Sequence, residues 1–341
     1  METGGITMAK VGQLSPELEI LLVRLRDRFV PRQCYNVFAD SMANFEARRR
    51  AEIAEGLNPE ARGIAVIGNS GSGKSEGVGH YLKTNETMSL LTEDCEAADA
   101  ASFVVPSPAS LKKVGYSCLG GLGYPLSRDR FAGIIWGLVQ GHLSELGVMF
   151  LHLDEAQDLY SSQSEREMFA VVNTLKSMLQ NKRWPVSIIL SGLPDLLTLL
   201  NLDPQLGRRF IPISFSQLDV IEDGRNVRSL IGQYSRAANL ELEAELQSDD
   251  FIARLIHSAA NEFGILVELI TGAIEFCFRG DEPRLTKQHF VAEFRRRTGC
   301  VNDLNPFVRG DYSAIDPKLL LPDRRDVSAQ TGTPQKRGRQ K

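Results

Sequence analysis

Residues 68–75 read Gly-Asn-Ser-Gly-Ser-Gly-Lys-Ser and fill every fixed position of the pattern G-x-x-x-x-G-K-[ST]. The chemistry served by this spacing is polyphosphate binding. Gly68, Gly71 and Gly73 let the backbone turn N–H groups inward around phosphate oxygens, with Asn69, Ser70 and Ser72 completing the loop. Lys74 has the reach for the β- and γ-phosphates, and the Ser75 hydroxyl is a ligand for Mg²⁺. Further along, Asp154 and Glu155 follow the apolar run Val148-Met-Phe-Leu-His-Leu153. Two carboxylates at the C-terminal end of a buried strand stand where open α/β sheets bind their ligands. Asp154 suits the water shell of the metal, and Glu155 suits the orientation of an attacking water. A glycine-rich turn or an acidic strand end would carry either group alone. Both in this order point to binding and hydrolysis of a nucleoside triphosphate, with ATP and Mg²⁺ as the expected cofactors.

Other residues leave two readings open. Ser191, after the run Val186–Leu190, either touches the γ-phosphate or the attacking water from a neighbouring strand, or marks a simple turn. Arg208 and Arg209 either supply charge to ATP held by a neighbouring subunit, as an arginine finger, or form a solvated face. His152, inside an apolar run, reads as a packed histidine rather than a ligand, and Trp184 as a core or edge aromatic.

Chemistry at residues so far apart requires a framework that brings them together. The run Gly63-Ile-Ala-Val-Ile-Gly68 reads as a buried parallel strand, and Glu76–Lys83 as the helix after the loop. Further strands are expected at Ser102–Pro106, Val148–Leu153, Val186–Leu190 and, more weakly, Phe210–Ser214. Helices are expected over Arg130–Leu146, Glu165–Gln180 and Leu193–Asn201. This alternation predicts an α/β fold, a five-stranded parallel sheet flanked by helices. From about Gln217 the pattern is helical only, over Asp223–Ala238, Ser248–Glu262, Ile265–Phe278 and Thr286–Thr298, which predicts a small all-helical lid domain. Ser15–Glu55 also reads as helical, with a break at Pro31. The expected division is residues 1–57 as an N-terminal helical segment, 58–216 as the α/β core, 217–300 as the lid and 301–341 as an extension. That extension ends in a disordered basic tail with Lys336, Arg337, Arg339 and Lys341, suited to phosphate contact, partner docking or solubility.

Across 341 residues, 43% hydrophobic and 24% charged content excludes wholesale disorder. A net charge of −4 excludes a generally basic nucleic-acid coat and leaves DNA contact to a local patch. Cys34, Cys95, Cys118, Cys277 and Cys300 form no CxxC or Cys/His pair, which argues for reduced thiols without a disulfide framework or zinc site. Met1–Gln13 lacks the apolar core of a signal peptide, and no apolar run reaches the ~18 residues of a membrane span. The expectation is a cytoplasmic protein with no membrane association.

These elements, in this order, resemble the AAA+ ATPases, and most closely the TniB/TnsC family of bacterial transposition proteins, from about Gln33 to Thr298. The likeness is carried by Gly68–Ser75, Val105-Pro-Ser-Pro-Ala-Ser-Leu-Lys112, Leu119-Gly-Gly-Leu-Gly-Tyr-Pro125, Leu153-Asp-Glu-Ala-Gln-Asp158, Leu190-Ser-Gly-Leu-Pro194 and Leu206-Gly-Arg-Arg-Phe210. The Pro-Ser-Pro segment and the Leu-Gly element after it are the narrowest of these. The resemblance implies an AAA+ P-loop NTPase that regulates DNA transposition, including that of CRISPR-associated transposons. It implies homo-oligomers, rings or helical filaments of hexameric or heptameric repeat, on duplex DNA of any sequence. The implied partners are a transposase and a target selector, with ATP hydrolysis driving release and a nucleoid location when active. By position, Ser191 falls at the sensor of the fourth strand and one of Arg208 or Arg209 at the finger. Lys112, Lys113, Arg128 and Arg130 fall in the region that faces the central channel, where they either track DNA phosphates or form a solvated charged loop. The lid arginine of a Gly-x-x-Arg pattern is missing from Gly264-Ile-Leu-Val267, which implies slow, assembly-dependent turnover. A helicase-loader-like DNA protein and an ATP-switched scaffold without DNA are the alternatives.

Overall fold

The computed structural model describes residues 14–92, 95–160 and 164–321, so Met1–Gln13 and the basic tail lie outside the described residues. The chain divides into two compact units. One runs from Phe29 to Gln217, and the other joins the residues up to Arg28 with those from Leu218 onward.

The first element among the described residues is α1 (Pro16–Arg26), a helix of the second unit, with Ser15 as its N-cap and Pro16 in its first turn. The first unit begins with α2 (Gln33–Ala54) and β1 (Gly63–Ile67), followed by α3 (Lys74–Thr84), β2 (Ala100–Val104), α4 (Leu111–Gly121) and α5 (Ala132–Glu145). It continues through β3 (Phe150–Asp154), α6 (Glu165–Leu179), β4 (Ser187–Gly192), α7 (Leu196–Asn201), α8 (Pro204–Gly207) and β5 (Phe210–Ser214). The five strands are all parallel, in the order β2-β3-β4-β1-β5. The central strand β1 is buried throughout, which is why its sequence is a continuous apolar run. Alternate residues enter opposite faces. Ala65 and Ile67 join a core with Val114, Ile135, Val139, Leu175 and Leu199 from α4, α5, α6 and α7. Ile64 and Val66 join a second core with Phe38, Met42, Val78 and Leu82 from α2 and α3. The sheet is therefore covered on both faces, as a parallel sheet must be.

The second unit contains α1 and α9 (Val220–Ala237), the short strand β6 (Glu241–Leu242), α10 (Asp249–Ser258) and α11 (Phe263–Arg279). After these come β7 (Arg284–Leu285), α12 (Lys287–Thr298) and the turn α13 (Pro317–Leu320). Its core includes the Phe251, Phe290 and Phe307 rings, 5.0–5.8 Å apart. The parallel pair of β6 and β7 is a feature the helix-only reading omitted. No helix among the described residues is long and apolar enough to cross a membrane.

Two boundaries differ from those expected. The residues before 58 do not form a segment of their own. Leu22 and Leu25 are buried in the second unit, where Arg26 donates to Glu275 at 2.5 Å, whereas Phe38 and Met42 of α2 pack on the sheet. Residues 301–321 are likewise built into the second unit. Asn305 and Phe307 are buried, and the Arg254 guanidinium collects the carbonyls of Pro306 and Arg309.

Candidate nucleotide site

The site is built at the C-terminal ends of three adjacent strands, β3, β4 and β1. The loop after β1 requires glycine at two places, because Gly71 (φ 81°) and Gly73 (φ 88°) are both in the left-handed region. Gly73 is also the N-cap of α3 and has no side chain with which to cap it. The first N–H groups of α3 are thus left for an external acceptor, and the helix dipole favours an anion there. Lys74 is buried, its Nζ 3.4 Å from the Asn69 carbonyl, so its charge is folded over the loop. The Ser72 hydroxyl is buried with no protein partner among the described residues. This arrangement fits a polyphosphate.

Ser75 Oγ donates to Asp154 Oδ1 at 3.0 Å, which joins the loop to the end of β3. A hydroxyl beside a carboxylate is a hard-oxygen pair of the kind Mg²⁺ takes when nucleotide phosphates and water fill its remaining positions. Among the described residues there is no group of three or more His, Cys, Asp or Glu for an all-protein metal cage. Glu155 follows at φ 55°, a left-handed conformation that costs a non-glycine residue about 1–3 kcal/mol and turns its side chain off the strand axis. Its Oε2 accepts from Gln157 Nε2 at 2.5 Å.

Ser191 lies inside β4, which runs through Gly192, so the simple turn is not what forms there. Its hydroxyl donates to Asp154 Oδ1 at 2.5 Å and meets His152 Nε2 at 2.7 Å. That hydroxyl has one proton, already given to Asp154, so His152 Nε2 must be the donor. His152 Nδ1 is then an acceptor and takes the Ser102 hydroxyl proton at 2.8 Å. Burial pushes His152 down to about 4, against the opposing pull of the Asp154 carboxylate, so the ring is neutral at pH 7. A directed chain, Ser102 to His152 to Ser191 to Asp154, thus crosses three strands. His152 is packed as expected, but both ring nitrogens are engaged.

Arg208 and Arg209 lie at the other end of the sheet. The Arg209 carbonyl accepts from Gly63 N–H at the start of β1, whereas the phosphate loop follows the end of that strand. At about 3.3 Å per residue the two ends are on the order of 16 Å apart. Both arginines line a cleft of about 580 Å³ with Arg48, Arg62 and Glu60. Arg209 is held by Glu60 and the Gln205 carbonyl, both at 2.5 Å. Arg208 is exposed, with Nε on the Pro204 carbonyl at 3.1 Å.

Three of the four basic residues between β2 and β3, Lys112, Arg128 and Arg130, are drawn together around Asp129. Tyr116 of α4 arranges this, its hydroxyl contacting the Arg128 carbonyl, Asp129 Oδ1 and Arg130 N–H. Lys112 is paired with Asp129, whose carboxyl is held below its usual range by Lys112 and Tyr116. Lys113 Nζ donates to the Pro108 carbonyl at 3.3 Å. Arg128 and Arg130 are exposed in the loop before α5, rather than opening that helix, and pair with no acidic side chain among the described residues.

Sheet order, loop and carboxylates together define the chain as a P-loop protein with the AAA+ ATPase fold. Its three-dimensional structure is similar to that of the Orc1 protein of Aeropyrum pernix, solved in complex with DNA (TM-score 0.57, 13% identity, 82% of this chain and 69% of that chain). It is also similar to the Orc2 protein of Aeropyrum pernix in ADPNP–ADP complexes (0.55, 12%, 80% and 71%) and to Cdc6p of Pyrobaculum aerophilum (0.54, 13%, 79% and 70%). At these identities the likeness is one of fold. No curated protein sequence matches it. The sequence pattern of the bacterial TniB protein matches residues 40–219, more than half of the chain, and the chain belongs to that family.

Proposed function

We propose that this protein binds ATP and Mg²⁺ at the loop after β1, hydrolyses the nucleotide, and uses the nucleotide state to assemble on duplex DNA as a regulator of transposition. The observation that carries this reading is the convergence of Lys74, Ser75, Asp154 and Glu155 on one strand-end site in a member of the TniB family. Lys74 and the loop N–H groups hold the phosphates, Ser75 and Asp154 hold the metal, and Glu155 orients the water. Ser191 fixes Asp154 rather than standing as an isolated sensor. Arg208 and Arg209 are too far from the site of their own chain to act there, which supports action on ATP bound by a neighbouring copy. Arg208 is the better finger of the two, because Arg209 already neutralises Glu60.

Lys112, Lys113, Arg128 and Arg130 form the DNA-facing surface in this reading. Lysines and arginines without base-reading partners suit contact with phosphates of any sequence. The ring or filament recruits the transposase and is released on hydrolysis. Turnover is slow and assembly-dependent, because the first turn of α11 offers no arginine at Gly264–Val267. The test is negative-stain microscopy with long random-sequence duplex DNA, with and without a slowly hydrolysed ATP analogue. Rings or filaments that need the analogue support the reading. Bare DNA under both conditions overturns its DNA-assembly part.

A further inference from the structure

Gln157 sits two residues beyond the glutamate, in the 3₁₀ turn Ala156–Leu159, and is only 5% exposed. Its carboxamide is used at both ends. Oε1 accepts the Leu193 N–H at 3.0 Å, just past the end of β4, and Nε2 donates to Glu155 Oε2 at 2.5 Å. The amide orientation follows from its partners. A backbone N–H can only donate, so Oε1 must face Leu193 and the NH₂ group must face Glu155. The neighbouring residue leaves room for this. A Cβ at Gly192 would stand 2.6 Å from Gln157 Oε1, closer than packed atoms allow, and 3.1 Å from its backbone N, a tight contact. The exit of β4 is therefore shaped around this side chain.

We propose that Gln157 is a positioning residue for hydrolysis, tying the Glu155 carboxylate to the end of the strand that carries Ser191. The inference rests on the reading of Glu155 as the residue that orients the attacking water. Glu155 stands in a left-handed backbone conformation at the mouth of the site, and its Oε1 accepts from no group among the described residues, which suits it to the water. With one oxygen anchored, the other points in a fixed direction. Movement of the β4 end, where Ser191 also fixes Asp154, then reaches the metal ligand and the water-orienting group together.

Two substitutions in the full chain separate positioning from mere support of the fold. Gln157→Met keeps the length and loses both hydrogen bonds. Gln157→Glu keeps an acceptor for Leu193 N–H and loses the donor to Glu155. Phosphate release with Mg²⁺-ATP and long duplex DNA gives kcat and KM, and a fluorescent ATP analogue gives nucleotide affinity. A donor to a charged group is worth at least about tenfold in rate when it acts on the reacting geometry. Both variants are expected to lose about tenfold or more in kcat, with KM and analogue affinity within about twofold of the parent. Wild-type kcat in Gln157→Glu would show that only the Leu193 contact matters and overturn the proposal, as would wild-type kcat in Gln157→Met. Loss of analogue affinity in both variants would also overturn it, since the residue would then support the phosphate loop. Glu155→Gln, measured alongside, distinguishes the two readings: full turnover there removes the role of Glu155 itself, whatever Gln157 does.

Discussion

Replacing Ser191 with alanine removes one oxygen atom from a fully buried position and breaks the chain that runs from Ser102 to Asp154. Two losses add. The hydroxyl's bond to the Asp154 carboxylate is a hydrogen bond to a charged group, about 1.5–3 kcal/mol net, and the His152 Nε2–H is stranded in the core, about 1–3 kcal/mol. Taking the lower part of each range gives about 3 kcal/mol. For a unit of this size that is a fall in Tm of roughly 6–12 °C. His152→Leu is the informative partner. It leaves Ser191 donating to Asp154, and Ser102 is exposed and can turn to water, so the cost is about 1 kcal/mol in lost hydrogen bonding. The double variant has no stranded donor and should be more stable than the sum of the single effects by about 1–2 kcal/mol. Thermal unfolding of the nucleotide-free chain, followed by circular dichroism, measures all three. A Tm within about 2 °C of the parent for Ser191→Ala, or strict additivity in the double variant, would refute the directed chain.

Lys74→Ala should abolish binding of an ATP analogue by fluorescence, and with it any nucleotide-dependent assembly, whereas Glu155→Gln should bind ATP, hydrolyse it at least about a hundredfold more slowly and persist on DNA. Lys112→Ala with Lys113→Ala should weaken duplex binding and reduce the salt slope by about two, with nucleotide affinity intact; an unchanged slope in a salt titration makes these lysines solvated charges only. Arg208→Ala should lower the ATPase rate of the assembly without altering nucleotide affinity, and Arg208→Ala protein should regain turnover when mixed with an excess of Glu155→Gln protein, which still binds ATP and assembles, hydrolyses little itself and keeps its arginines intact. Burial pushes the Cys118 and Cys277 thiols up to about 12, the latter with help from Glu282, so iodoacetamide at pH 8 should spare both in the native chain, as read by mass spectrometry. The sign for stability follows: these thiols ionise near 8.5–9 only when unfolded, so stability should fall as pH rises above about 9 toward 12.

The loop after β1 was legible because its signature is local. The glycines, the lysine and the hydroxyl fall within eight residues, and the apolar run before them could only be a buried strand. The strands were legible for the same reason, yet β4 extends past Leu190 because Ser191 finds its partners on β3, and no residue near it in sequence announces that. Helix α4 went unread between the second strand and the Leu-Gly element. Gly115, Gly120 and Gly121 lower its intrinsic propensity, whereas the Ser110 N-cap and the burial of Val114, Cys118 and Leu119 restore it. Gly115 is there for packing, since a Cβ would stand 2.5 Å from an Ile135 methyl group.

The same distinction separates the groups of the site from the groups that hold it. Lys74, Ser75, Asp154 and Glu155 could be named from spacing, because the nucleotide proposed for them has a shape known in advance. Gln157, Ser102 and the tautomer of His152 could not, because each is set by a partner that only the fold brings close. Their common feature is that a single atom decides the contact: the Leu193 N–H orients the Gln157 amide, and the one Ser191 proton orients the His152 ring. Both constraints converge on β4, which contributes no phosphate-binding loop. If β4 moves, Asp154 and Glu155 are displaced together, through Ser191 on one side and Gln157 on the other. With Asp154 and Glu155 in the roles proposed for them, the strand is the element through which a change elsewhere in the first unit would reach metal and water at once, and substitutions along it should alter kcat more than nucleotide affinity.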